Sequence, residues 1–178
     1  MGLLLLILLN CCTPIQHLKG PDQTITVMDT FALGPPIQKA KWAIPPTVRV
    51  CDSTNVSMFR AQKAFKYWEM LGYEFNGIFM DYKLNCGEPR YGEIIITLPD
   101  GNFDTQHMAS TRVYTEKITG NIAKAQIFIY PKEARMPRVI EHEIGHAFGW
   151  MHHRQKYHLM HPNWHLGGYD ATGLRKRK

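Results

Sequence analysis

The chain has no apolar run long enough to cross a bilayer. The stretch from Leu3 to Leu9 is seven residues, against the ~18–20 that a spanning helix needs, which excludes a polytopic membrane protein. There is no internal repeat and no low-complexity block. An apolar fraction of 44% and a charged fraction of 20% do not fit disorder, a collagen-like repeat or a coiled coil. The body also lacks a strong charge of either sign. The net charge is +6, but Arg175, Lys176, Arg177 and Lys178 supply four of those charges. A short basic tail is ordinarily a solvated end, so nothing points to specific nucleic-acid binding. Its one rival use is loose contact with a polyanion or a membrane surface.

A length of 178 residues suits one domain, two at most. Leu3–Leu9 has the length of a signal-peptide core. Residues 1–12 therefore read as a signal peptide, or as a lipoprotein-type leader ending in Cys11 and Cys12. The protein is then exported, either secreted or held at a membrane only through a retained leader or lipid. Residues 13–46 read as a Pro-rich linker and lead-in segment, with six of the chain's 11 prolines, which remove backbone donors and disfavour regular structure. The folded body is placed at 47–174 and the basic tail at 175–178.

Within the body, Thr47–Cys51 alternates and is β-branched, which predicts a strand. Met58, Ala61, Ala64, Phe65, Trp68 and Leu71 recur at helical spacing before Gly72, a core-facing stripe. Tyr73 to Tyr82, Gly92 to Leu98, His107 to Thr115 and Ile122 to Tyr130 read as further strands, with a turn at 99–102. This order suggests a mixed sheet carrying a helix. Cys51 ends the first strand and Cys86 follows the second. If those strands are parallel the two cysteines share an edge, and a disulfide or two free thiols both fit.

Residues 139–152 carry the chemistry. Pro137 is a good first helical residue. Ile140, Ile144, Ala147, Phe148 and Met151 form one stripe, with His142 and His146 on roughly the opposite side, so the helix should pack with one face and present histidines with the other. Four-residue spacing lets two imidazoles reach one metal ion. Glu143 points to a neighbouring sector, where it can reach a metal-bound water without being a ligand. Gly149 can take positive φ and end the helix, so that the chain turns back and brings His152 to the same ion. Three protein ligands leave one position open, as catalytic zinc sites do. A chance match to His-Glu-x-x-His-x-x-Gly-x-x-His in a chain of this length is on the order of one in a hundred thousand at ordinary residue usage. His153, His158, His161 and His165 nearby read as surface or pocket wall, with His161 and Tyr169 able to reach an oxyanion.

His142, Glu143, His146, Gly149 and His152 match the signature of the metzincin zinc endopeptidases, which the chain therefore resembles. Leu159-Met160-His161-Pro162 fits that family's Met-turn, and Trp42, Pro45 and Pro46 before the first strand resemble a matrixin lead-in. The resemblance implies an α+β catalytic domain, with a twisted mixed five-stranded sheet, two main helices and a short C-terminal subdomain carrying Met160. It implies a monomeric Zn2+ endopeptidase with His142, His146 and His152 as ligands, Glu143 as general base and acid, and Met160 as an apolar floor. An extended peptide or protein substrate would pair with an edge strand within His107–Thr115, and 161–169 would line the specificity pocket. The 18 residues after Met160 leave room for only a stub of C-terminal helix. Two other functions are consistent with the residues: an inactive zinc-binding module, against which the intact Glu143 argues, and a cell-wall peptide hydrolase with the same chemistry.

Overall fold

The computed structural model describes residues 16–19, 34–83, 86–99 and 107–176. The leader at 1–12, the turn at 100–102 and the last two residues of the tail lie outside these. The architecture is mixed α/β. Strand β1 (Gln16–Lys19) is followed by β2 (Thr47–Cys51), helix α1 (Met58–Met70), β3 (Ile78–Asp81), β4 (Glu93–Thr97), β5 (His107–Thr115), β6 (Ile122–Ile129) and helix α2 (Val139–Ala147). One sheet runs in the order β1-β5-β6-β4-β2-β3. Strands β3, β2, β4 and β6 are mutually parallel; β5 is antiparallel to β6, and β1 to β5.

Both helices cover one face. Val48 and Val50, Ile94 and Ile96, and Ala125, Ile127 and Ile129 alternate onto it, and pack with Phe65 and Trp68 of α1 and Ile140 and Ile144 of α2. Full burial of each large side chain contributes about 1.5–3 kcal/mol. Ser57 caps α1, its hydroxyl accepting from the Arg60 N–H at 3.2 Å. Tyr73 stacks at 4.2 Å on Phe148, just past α2, and its hydroxyl accepts from Trp150 and donates to the Leu174 carbonyl.

The opposite face is polar at its centre. Arg49, one residue out of phase with Val48 and Val50, is buried there. It donates from Nε and Nη2 to the two oxygens of Glu93 at 2.9 and 2.7 Å, from Nη1 to Asp81 and the Cys86 carbonyl, and from Nη2 to the Glu88 carbonyl. Cys51 and Cys86 are joined in a disulfide with Cα atoms 6.0 Å apart, and Ile95 completes this small cluster.

Several expectations change. The sheet of the body has five strands, but Gln16–Lys19 from the presumed linker adds a sixth, so His107–Thr115 is not an edge. Within the linker and lead-in segment, residues 34–46 make contacts with the body. Trp42 donates from Nε1 to the Ala147 carbonyl at 2.8 Å, and Lys39 N–H to the Gly149 carbonyl at 2.9 Å. The second predicted strand shrinks to Ile78–Asp81, preceded by Gly77 at φ 116°. Asp170 to Lys176 form turns and no helix. No helix among the described residues is long and apolar enough to cross a membrane.

Candidate metal centre

Helix α2 starts at Val139, two residues after Pro137. Its N-cap, Arg138, is left-handed at φ 70°. The helix presents His142 and His146 together on one face, as expected, but every residue of α2 is buried. The segment after Gly149 folds back over that face. Gly149 makes this reversal at φ 84°, and a side chain there would collide with the Ala40 carbonyl, so two requirements converge on glycine.

The reversal brings His152 back to the helix. The ring centroids of His142 and His146 are 4.7 Å apart, and His152 lies 5.4 and 4.7 Å from them. One ligand atom from each of the three lies within 4.8 Å of the others. His142 Nδ1 is 2.7 Å from the Leu159 carbonyl, and His146 Nδ1 is 2.7 Å from the Trp150 carbonyl. A carbonyl only accepts, so each Nδ1 carries the proton and each Nε2 carries a lone pair. Yet those two Nε2 atoms face each other at 3.0 Å. Two lone pairs repel unless a cation stands between them. A tetrahedral ion with bonds of ~2.05 Å would hold its ligand nitrogens about 3.3 Å apart. Burial, reinforced by the neighbouring imidazoles, pushes His142 well below the ordinary histidine range, toward the neutral form that binds metal. The donor set and its spacing therefore fit a divalent ion that accepts nitrogen ligands.

Glu143 is fully buried. Its Oε2 accepts from the Thr111 hydroxyl of β5 at 2.6 Å, while its Oε1 is buried with no partner. Burial pushes this carboxyl up to about 8, with the Thr111 bond opposing. A cation nearby would bring it down again.

Apart from Met160, the supports of the site were not read from the sequence. Gly145 lies between the two helical histidines, and a side chain there would collide with Met160 Sδ and Trp68. Met160 is thus seated against the histidine-bearing turn, fully buried. A glycine inside a helix costs about 1 kcal/mol relative to alanine, which is the signal that could have marked it. Arg138 donates to the Leu159 carbonyl at 3.4 Å and to that of Trp164. Leu159 is therefore held by both Arg138 and His142. His158, expected at the surface or in the pocket wall, is buried. It accepts the Met160 N–H at Nδ1 and donates from Nε2 to the Thr172 carbonyl, both at 3.1 Å. His153 and His161 are buried too, whereas His165 is exposed. Behind α2, Arg60 of α1 grips both oxygens of Glu141 at 2.9 and 2.6 Å, and Trp68 donates to the Glu141 carbonyl. Nothing in sequence spacing distinguishes Thr111, Arg138 or Arg60 from ordinary polar residues.

No protein-family model and no curated protein matches the chain. Among solved structures, it is similar to the crystal structure of metalloproteinase-II from Bacteroides fragilis, at 12% identity and a TM-score of 0.43. The match covers 82% of this chain and 57% of that one, so the chain spans little more than half of that protein's length. A likeness of this size leaves function to be argued from the site.

Proposed function

We propose that this protein is a zinc-dependent endopeptidase of the metzincin kind. The observation that carries the reading is the pair of Nε2 lone pairs facing each other at 3.0 Å, beside a buried carboxylate with one free oxygen. An all-imidazole donor set suits zinc. Bound among the three histidines, such an ion would polarise a carbonyl oxygen and acidify a water.

The chain's own groups do the rest. The Leu159 and Trp150 carbonyls hold the tautomers and ring planes of His142 and His146. Thr111 fixes one oxygen of Glu143, leaving Oε1 to take a proton from the attacking water and pass it to the leaving amine nitrogen. Burial of α2 excludes bulk water from this exchange. The Cys51–Cys86 disulfide supports an exported protein, because such bonds persist in oxidising compartments. The substrate in this reading is an extended peptide, bound by a monomer.

The test uses the full chain loaded with zinc and offered casein, with a chelator and Glu143→Gln as controls. Cleavage that both controls abolish supports the reading. One tightly bound zinc per chain without cleavage of casein or of peptidoglycan would replace it with a zinc-binding module. Cleavage of peptidoglycan alone would keep the chemistry and change the substrate.

A further inference from the structure

The segment before β2 has an inner and an outer side. Isolated bridges join Gln38 to Trp150 and Trp42 to Ile122, and in extended chain alternate residues share a side. Gln38 and Trp42 turn inward and donate to the Phe148 and Ala147 carbonyls, and Ala40 lies against Gly149. Ile37, Lys39 and Lys41 alternate with these and are exposed. Main-chain bonds hold this arrangement, from Met151 N–H to the Ile37 carbonyl and from Lys39 N–H to the Gly149 carbonyl, both at 2.9 Å. Ile37 is 62% exposed and Ile44, further along, is 57% exposed. One exposed aliphatic is ordinary. Two of them on a segment whose outer side is otherwise lysine make a pattern.

The C-terminal residues bring more charge to the same surface. Gly173 approaches Pro36 so closely that a side chain there would meet its ring at 2.8 Å. Lys176 N–H donates to the Leu71 carbonyl, and Lys176 borders the same concavity as Lys41, Trp42 and Ile44. Arg175 precedes it and is exposed as well. Four positive charges therefore gather around Ile37 and Ile44. Against them stands Glu74, which lines the same concavity, 3.4 Å from Lys176 Nζ.

Charge alone would suit any polyanion. A soluble polyanion, however, offers Ile37 and Ile44 nothing apolar to bury against. An anionic bilayer uses both features. Its headgroups attract the ammonium groups, and its acyl boundary takes the aliphatic side chains while the lysine stems lie along it.

We propose that the face formed by Ile37, Lys39, Lys41, Ile44 and Lys176 docks the folded protein on an anionic lipid surface. The docking rests on the packing of this segment and is independent of the peptidase reading.

The test is cosedimentation of the full, metal-free chain with phosphatidylcholine vesicles, with and without phosphatidylglycerol. The neutral vesicles account for any partitioning through Leu3–Leu9. Binding to the anionic vesicles should be stronger by at least roughly tenfold. Lys39→Gln with Lys41→Gln should lower it by roughly tenfold or more, while Lys63→Gln with Lys66→Gln, the same charge change on the exposed side of α1, should leave it within about twofold. Ile37→Ser with Ile44→Ser should weaken vesicle binding several-fold and leave binding to immobilised heparin unchanged. All these positions are exposed, and melting temperatures equal to the parent's report intact folds. Equal binding to both vesicle types overturns the proposal. An equal loss from the α1 pair overturns the assignment to this face. Vesicle binding that ignores the isoleucine pair, with heparin held as tightly, overturns the lipid in favour of a soluble polyanion.

Discussion

Two buried polar clusters lie on opposite faces of one sheet, and they are satisfied to different degrees. Around Arg49, five N–H groups meet the carboxylates of Glu93 and Asp81 and the carbonyls of Cys86 and Glu88. Around Glu143, two imidazole lone pairs face each other and one carboxylate oxygen has no partner. Burial is severe in both. A low local dielectric rewards a complete network and penalises an incomplete one. The complete cluster is therefore structure, and the second carries a donor set that could hold a metal ion.

If that contrast is right, the two clusters fail differently when cut. The largest effect on chemistry should come from Glu143→Gln, which lowers turnover by roughly 100- to 10,000-fold while zinc uptake and the urea unfolding midpoint stay unchanged. Arg49→Met should do the reverse. It strands Glu93 without its partner, costs about 3–5 kcal/mol in urea unfolding, and leaves zinc affinity per folded molecule intact. A smaller effect follows from ligand addition. Zinc at one hundred times its dissociation constant should stabilise the chain by about 2.7 kcal/mol, and His146→Ala should abolish that zinc-dependent gain. The smallest is the acid limb. Burial pushes the Glu93 carboxyl up, but the Arg49 guanidinium and the Arg90 N–H outweigh it and hold it below its ordinary 4.5. The stability this gives is fully present above about pH 4.5 and is lost as pH falls through the lower folded value. Thermal melts of metal-free protein should show that loss, and Glu93→Gln should flatten it.

Much of the architecture is legible in the sequence because it rests on local periodicity. The alternation in Thr47–Cys51 and the stripe of Ala61, Phe65 and Trp68 each mark an element that the structure contains. The spacing of His142, His146 and His152 marks three rings that the fold brings together. What is illegible is non-local. Gln16–Lys19 has neither alternation nor β-branched residues, and only β5 makes it a strand. Helical periodicity marks the polar side of α2 but not that all nine of its residues are buried. Arg49 reads as the outward residue of a strand, because its carboxylate partners lie 32 and 44 positions away.

The contacts at the end of α2 span the chain. Trp42 reaches Ala147 across 105 positions and Gln38 reaches Phe148 across 110, while His152, Met160 and the carbonyls gripped by Arg138 all follow the last strand. During synthesis the six strands emerge before the third histidine does. Loop closure on this scale makes folding slow, and the sheet has no need to wait for it. The three-histidine cluster is thus completed late, and a chain halted before His152 would carry the strands and both cysteines but only two of its three rings.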